Sequence, residues 1–154
     1  MNDRELPEHL DGAATARQQI RALHEAWFVA SHEKDLDASM APFHTSVVTY
    51  EHSSPLRYTD IEAIREECRR GFDMQSDDFA WTVPDLVVET DGDLAVAWGL
   101  NRMANRREDG TEQVMWSRGT RVFKRFAQGW KMIHQHVSFP FDPATGAAAT
   151  DLEP

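Results

Sequence analysis

The sequence predicts an α+β domain: helices gathered in the N-terminal half, packed on one face of a curved antiparallel sheet built by the C-terminal half. Three observations lead there. Between Ala13 and Glu33 the apolar residues Ile20, Leu23, Trp27 and Ala30 recur at the spacing of one helix face. From Phe79 to Ser138 the chain is instead rich in Val, Phe, Trp, Thr and Ile, the composition of half-buried strands. The breaks in that second region, Asp91-Gly92-Asp93 and Glu108-Asp109-Gly110, carry the Asp-Gly signal of tight hairpins. Helices first and hairpins afterwards is the order of a segregated α+β fold.

In chain order, residues 1–12 form a polar lead and residues 13–141 the domain, followed by a turn-rich tail over 142–154. The first helix spans Ala13–Glu33. A short apolar piece, Leu36–Ala41, makes one or two turns before Pro42 stops it. Ser46–Glu51 is a strand, followed by the loop HSSPLRY. Thr59-Asp60-Ile61-Glu62 has the form of a capping box and starts a second main helix over 60–72, burying Ile61, Ile64, Cys68 and Phe72. Phe79–Thr90 and Leu94–Arg106 are strands, and Pro84 demotes the start of the former to an edge or a bulge.

The last hairpin, Val114–Pro140, turns around Ala127-Gln128-Gly129. If Arg125 faces Gly129, Arg121 faces Ile133 and Arg118 faces His136. Side chains alternate along a strand, so Ser117, Gly119, Arg121, Phe123, Ile133, Gln135 and Val137 share one surface. Trp116, Arg118, Thr120, Val122, Met132, His134 and His136 share the other.

Composition narrows the functions available. A chain of 154 residues can bury a core without disulfides or a structural metal. Sixteen basic against twenty-six acidic residues give a net charge of -10, which repels phosphate backbones and anionic lipid, so neither nucleic acid nor a membrane is an expected partner. The single cysteine, Cys68, excludes an intramolecular disulfide and suits a reducing compartment, and the polar start has no secretory signal; a cytoplasmic location is the expectation. No phosphate-cradling glycine loop, zinc motif or serine nucleophile elbow occurs, and no cofactor is expected.

Helix, short helix, strand, helix and then a meander ending in GWKMIHQHVS resembles the SnoaL-like branch of the nuclear transport factor 2-like superfamily. The residues carrying the likeness are Arg118-Gly119-Thr120, Gly129-Trp130, and His134-Gln135-His136-Val137-Ser138 with Pro140. The resemblance implies a cone, or cystatin-like roll: a curved sheet wrapped around helices and a mostly apolar cavity, with the outer sheet face often used for dimerisation. It implies isomerase, cyclase or dehydratase chemistry, or a non-catalytic binding or assembly role. Ketosteroid isomerases share this fold; their general-base Asp falls on Glu51, while their oxyanion-hole Asp and Tyr fall on Arg121 and Trp27, so steroid chemistry itself is not implied. The cavity arginines of the calcium/calmodulin-dependent kinase hub fall on Arg102 and Arg121, with a third on Val137. Both comparisons turn the Arg121 surface toward the cavity.

The candidates follow. Glu51 closes a strand on which Val47, Thr49 and Glu51 share a face, so its carboxylate can project into an apolar cavity and accept a proton; a solvated glutamate or an arginine partner is the plain alternative. Arg121 and Arg102 can hold a substrate oxygen as it gains negative charge, or can form structural ion pairs. Trp27, Ile64, Phe72, Trp98, Phe123 and Ile133, with Gln135, supply the lining for a hydrophobic, carbonyl-bearing small molecule. His134 and His136 share a strand face as metal ligands can, yet Arg118 opposite His136 and the lack of a third ligand speak against a metal. His52, next to Glu51, is expected on the loop surface rather than in an acid–base role, and Cys68 as a small buried hydrophobe. The Trp116, Val122 and Met132 surface calls for a partner copy, so a homodimer is expected.

Overall fold

The computed structural model describes residues 8–154, and side chains from residue 12 onward. The elements are α1 (Glu8–His32), α2 (Leu36–Met40), β1 (Phe43–Tyr50), α3 (Ile61–Met74), β2 (Ala80–Thr82), β3 (Val87–Asp91), β4 (Leu94–Arg106), β5 (Glu112–Phe126) and β6 (Gly129–Ser138). Six strands form one curled sheet in the order β1-β6-β5-β4-β2, with β3 also on β4. The α+β cone is therefore present, with one amendment: β1 runs parallel to β6, so the sheet is mixed rather than antiparallel throughout. No described helix is long and apolar enough to cross a membrane.

Local chemistry explains most element ends. α1 begins at Glu8, earlier than the periodicity over 13–33 suggests, and the part of the polar lead before Glu8 lies outside the described residues. Its buried stripe runs through Ala16, Ile20, His24, Trp27 and Ala30, the i, i+4, i+8 pattern of a helix laid on a sheet. The cap of α3 is Asp60 and not Thr59: the Asp60 carboxylate accepts from Glu62 N at 2.9 Å. Pro84 divides the expected 79–90 strand into β2 and β3, because proline cannot donate to the ladder.

The β5–β6 hairpin departs most from the sequence reading. Phe126 pairs with Gly129 across a two-residue turn, and the register shifts between Val122 and Phe123, where Ile133 is the extra residue on β6. Arg121 therefore lies opposite Gln135 and Arg118 opposite Ser138, not Ile133 and His136. A β-bulge resets the alternation. Before it, Trp130 and Met132 point inward; after it, Gln135 and Val137 do. Met132, expected on the outer face, is thus fully buried in the core with Ile20, Trp27 and Phe123, and Ile133 is not among the inward residues.

Candidate active site

The cavity lies between α3 and the concave face of the sheet and has a volume of ≈ 290 Å³. α3 contributes Ile64, Cys68 and Phe72, three residues at i, i+4 and i+8, so a single apolar stripe of the helix forms one wall. Phe43, Phe79 and Val137 add further apolar side chains to the lining. Against it stands a row of polar side chains from the sheet, continuous through hydrogen bonds from Glu51 to His52.

Arg121 occupies the middle of the row. It is 2% exposed. Its Nε donates to Gln135 Oε1 at 2.9 Å and its Nη2 to Asn101 Oδ1 at 2.8 Å. The guanidinium carbon lies 5.5 Å from the centre of the Trp27 ring and 5.1 Å from that of Trp81, contacts worth about 0.5–2 kcal/mol each where solvent is excluded. Arg121 forms no ion pair within the described residues, and its Nη1 is buried with no hydrogen-bond partner. Burial lowers its pKa to about 10, with the Glu51 charge acting the other way, so it remains a cation at neutral pH. Room for this arrangement depends on Gly119, where an added Cβ would sit 2.8 Å from Asn101 Nδ2 and 3.0 Å from Arg121 Nη1.

Gln135 continues one way, its Nε2 donating to Glu51 Oε1 at 3.1 Å. Asn101 continues the other way, its Nδ2 donating to Ser117 Oγ at 3.0 Å, and Ser117 Oγ lies 2.7 Å from His52 Nε2. His52 stays exposed as a whole residue while its Nε2 edge is tucked against Ser117 and its ring tilts over Phe139. Burial of that edge, and the Arg121 charge second, pull its pKa down to about 4. On the α3 side, Tyr58 Oη donates to Glu67 Oε2 at 3.3 Å, and burial raises the Cys68 thiol to about 11, which keeps it protonated and unreactive.

Of the residues singled out from sequence, Glu51, Arg121, Ile64, Phe72 and Gln135 meet around this cavity. Trp27 and Phe123 stand one layer behind, in the core. Arg102, Trp98 and Ile133 do not reach it. Arg102 turns outward and pairs with Glu112 at 2.8 Å, and Trp98 is 40% exposed. Both follow from the β4–β5 register, in which Ala97 faces Arg121 and Asn101 faces Ser117: odd-numbered residues of β4 point inward and even-numbered ones outward. The same parity would have identified Asn101. His52, expected on the loop surface, instead reaches the wall through Ser117, and Trp81 and Tyr58 were missed for want of any local signal, since only the fold brings them there. His134 and His136 lie on the outer face, where Tyr50 packs edge-on to both and His134 Nδ1 meets Val48 O at 2.8 Å. No cluster of three metal-ligating side chains forms among the described residues.

Known proteins agree on the fold. A protein of unknown function from Pseudomonas putida KT2440, nuclear transport factor 2-like, superposes with a TM-score of 0.84 at 29% identity over 92% of this chain and 99% of its own. A Streptomyces avermitilis protein of the same family, provisionally named a dehydratase, gives 0.72 at 16% identity over 82% of this chain and 97% of its own. The association domain of the C. elegans kinase CaMKII gives 0.71 at 21% identity over 83% and 98%. No curated protein matches the sequence. The SnoaL-like domain family matches residues 20–142, most of the chain and every residue of the polar row, and this protein belongs to it.

Proposed function

We propose that this chain is a cofactor-independent acid–base enzyme acting on a hydrophobic, carbonyl-bearing small molecule by isomerisation, cyclisation or dehydration. One observation carries the reading: a buried guanidinium with no ion pair among the described residues and a carboxylate, joined through Gln135, share one wall of a cavity whose opposite wall is the apolar stripe of α3. Neutralising that guanidinium with a nearby acid would have been the cheaper structural solution. Left as it is, its charge favours an enolate forming on the substrate oxygen. Glu51 takes the proton, and Gln135 holds its carboxylate in place. Ile64, Phe72 and their neighbours exclude water, which strengthens both effects. Arg102 has no part in this chemistry.

A generic probe tests the reading without knowledge of the substrate. In 5-nitrobenzisoxazole a base removes the ring C–H proton, the C≡N bond forms, the N–O bond breaks, and the electron pair ends on a coloured phenolate. Saturable turnover is expected, falling about 10²-fold or more in Glu51→Gln, as for loss of a general base. Equal turnover by that variant would remove Glu51 from the mechanism. The likeness to a kinase association domain supports a second reading, a cavity that holds a ligand without turning it over; saturable binding of the probe with no turnover would favour it. Under either reading we expect a homodimer through the outer sheet face, where Trp98 and Tyr50 are exposed. A monomer by light scattering would refute that part.

A further inference from the structure

The polar row has a direction, and Arg121 sets it. A guanidinium can only donate, so the oxygens of Gln135 and Asn101 must face it and both amide NH2 groups must point away. Trp81 Nε1–H, another donor-only group, meets the same Asn101 Oδ1 at 3.2 Å and fixes that amide independently. Asn101 Nδ2 therefore donates to Ser117 Oγ. Ser117 is 2% exposed, and its hydroxyl still has one hydrogen to place. The remaining partner is His52 Nε2, at 2.7 Å. That nitrogen must accept, which puts the imidazole's own proton on Nδ1. The direction holds while His52 is uncharged; burial of its Nε2 edge, and the Arg121 cation second, oppose its protonation.

Arg121 itself is nearly enclosed, so a ligand meets the ends of its two arms, Glu51 and His52, more readily than the guanidinium. We propose that His52 is a hydrogen-bond donor to the ligand: an uncharged imidazole, held in its Nδ1–H form by Asn101 and Ser117, that donates to a carbonyl or hydroxyl oxygen in the cavity. Asn101 and Ser117 are then positioning residues, and the charge of Arg121 reaches the ligand through a chain of hydrogen bonds, each polarised by the one before it. A neutral imidazole can polarise a carbonyl without carrying charge of its own. The favoured ligand is an uncharged carbonyl compound. The inference rests on the proposed reading of the same cavity as a small-molecule site, but it does not require turnover.

Two measurements test it. In 15N-histidine spectra at pH 7, His52 should show the Nδ1–H tautomer in the wild type and a mixture of tautomers in Ser117→Ala; an Nε2–H tautomer or an imidazolium in the wild type would overturn the proposal. With carbonyl-13C acetophenone as probe, the infrared carbonyl band of the bound molecule should lie at lower frequency in the wild type than in His52→Phe, with Ser117→Ala between them. A band unchanged across the three proteins, or no binding of the probe at millimolar concentration, would overturn the ligand role. Neither readout depends on proton abstraction by Glu51, so this proposal and the enzymatic reading fail separately.

Discussion

Arg102 and Arg121 sit on neighbouring strands of one sheet and were equal candidates in the sequence, yet the structure treats them in opposite ways. Arg102, on the convex face, meets a carboxylate, Glu112, where water screens both charges. Arg121, on the concave face, is buried among two tryptophans and two neutral amides, with no ion pair among the described residues. An exposed arginine finds a partner at little cost, and the pair contributes little. A buried one without a counter-charge is expensive, and the fold around it is arranged to bear that cost: Gly119 makes room, and Gln135 and Asn101 turn their oxygens inward. On the proposed reading, the concave face is where an oxygen-bearing ligand would gain most.

Substitutions test this contrast. The largest effect is expected at Arg121. Arg121→Met leaves two buried amide oxygens without their strongest donor and should destabilise the protein by ~3 kcal/mol in urea unfolding; a cost under ~1 kcal/mol would mean the guanidinium is not held as described. The next is acid sensitivity set by His24, which is fully buried and whose Nδ1 meets Ile20 O at 2.8 Å. Burial, with the Arg121 and Arg21 charges, lowers its pKa from 6.5 to about 4. Between those values the unfolded chain binds the proton and the folded one does not, so stability falls as pH drops from 6.5 toward 4, by up to about 3 kcal/mol. His52 adds in the same direction, but less, since it is part-exposed. Urea midpoints at pH 7 and pH 5 should diverge in the wild type and draw together in His24→Leu; an unchanged gap would show that other groups control the acid limb.

Gly119→Ala should cost about 1–3 kcal/mol, because its methyl group meets Asn101 and Arg121 head-on. It should also loosen the tautomer preference of His52 in the same 15N spectra, and a variant as stable as the wild type would show that the row can shift aside. Smallest is Arg102→Ala, expected to change stability by less than about 1 kcal/mol and to leave probe turnover as it was. A large loss of turnover there would return Arg102 to the site and undo the comparison.

Much of this was legible along the chain. The α3 stripe Ile64, Cys68 and Phe72, the Val47 and Thr49 face of β1 with Glu51 one residue past the strand's end, and the hairpin breaks after Thr90 and Arg106 are set by short-range periodicity and turn chemistry, which a sequence displays directly. Even the inward direction of Arg121 was readable through the family resemblance. Short-range pattern, together with the family resemblance, thus carried the order of the helices, the fold class and one charged residue on the concave face.

Tertiary structure decided the rest. A one-residue bulge at Ile133 exchanged the expected faces of Met132 and Ile133, and the β4–β5 register turned Arg102 and Trp98 outward while bringing Asn101 in. His52 joins a β5 serine 65 positions away, and α1 supplies a tryptophan to cover an arginine on β5. The physical reason is that a strand's pattern records alternation but not its partner's offset. One inserted residue inverts every side chain beyond it, and that choice is made by how whole faces pack, not by the residues next along the chain.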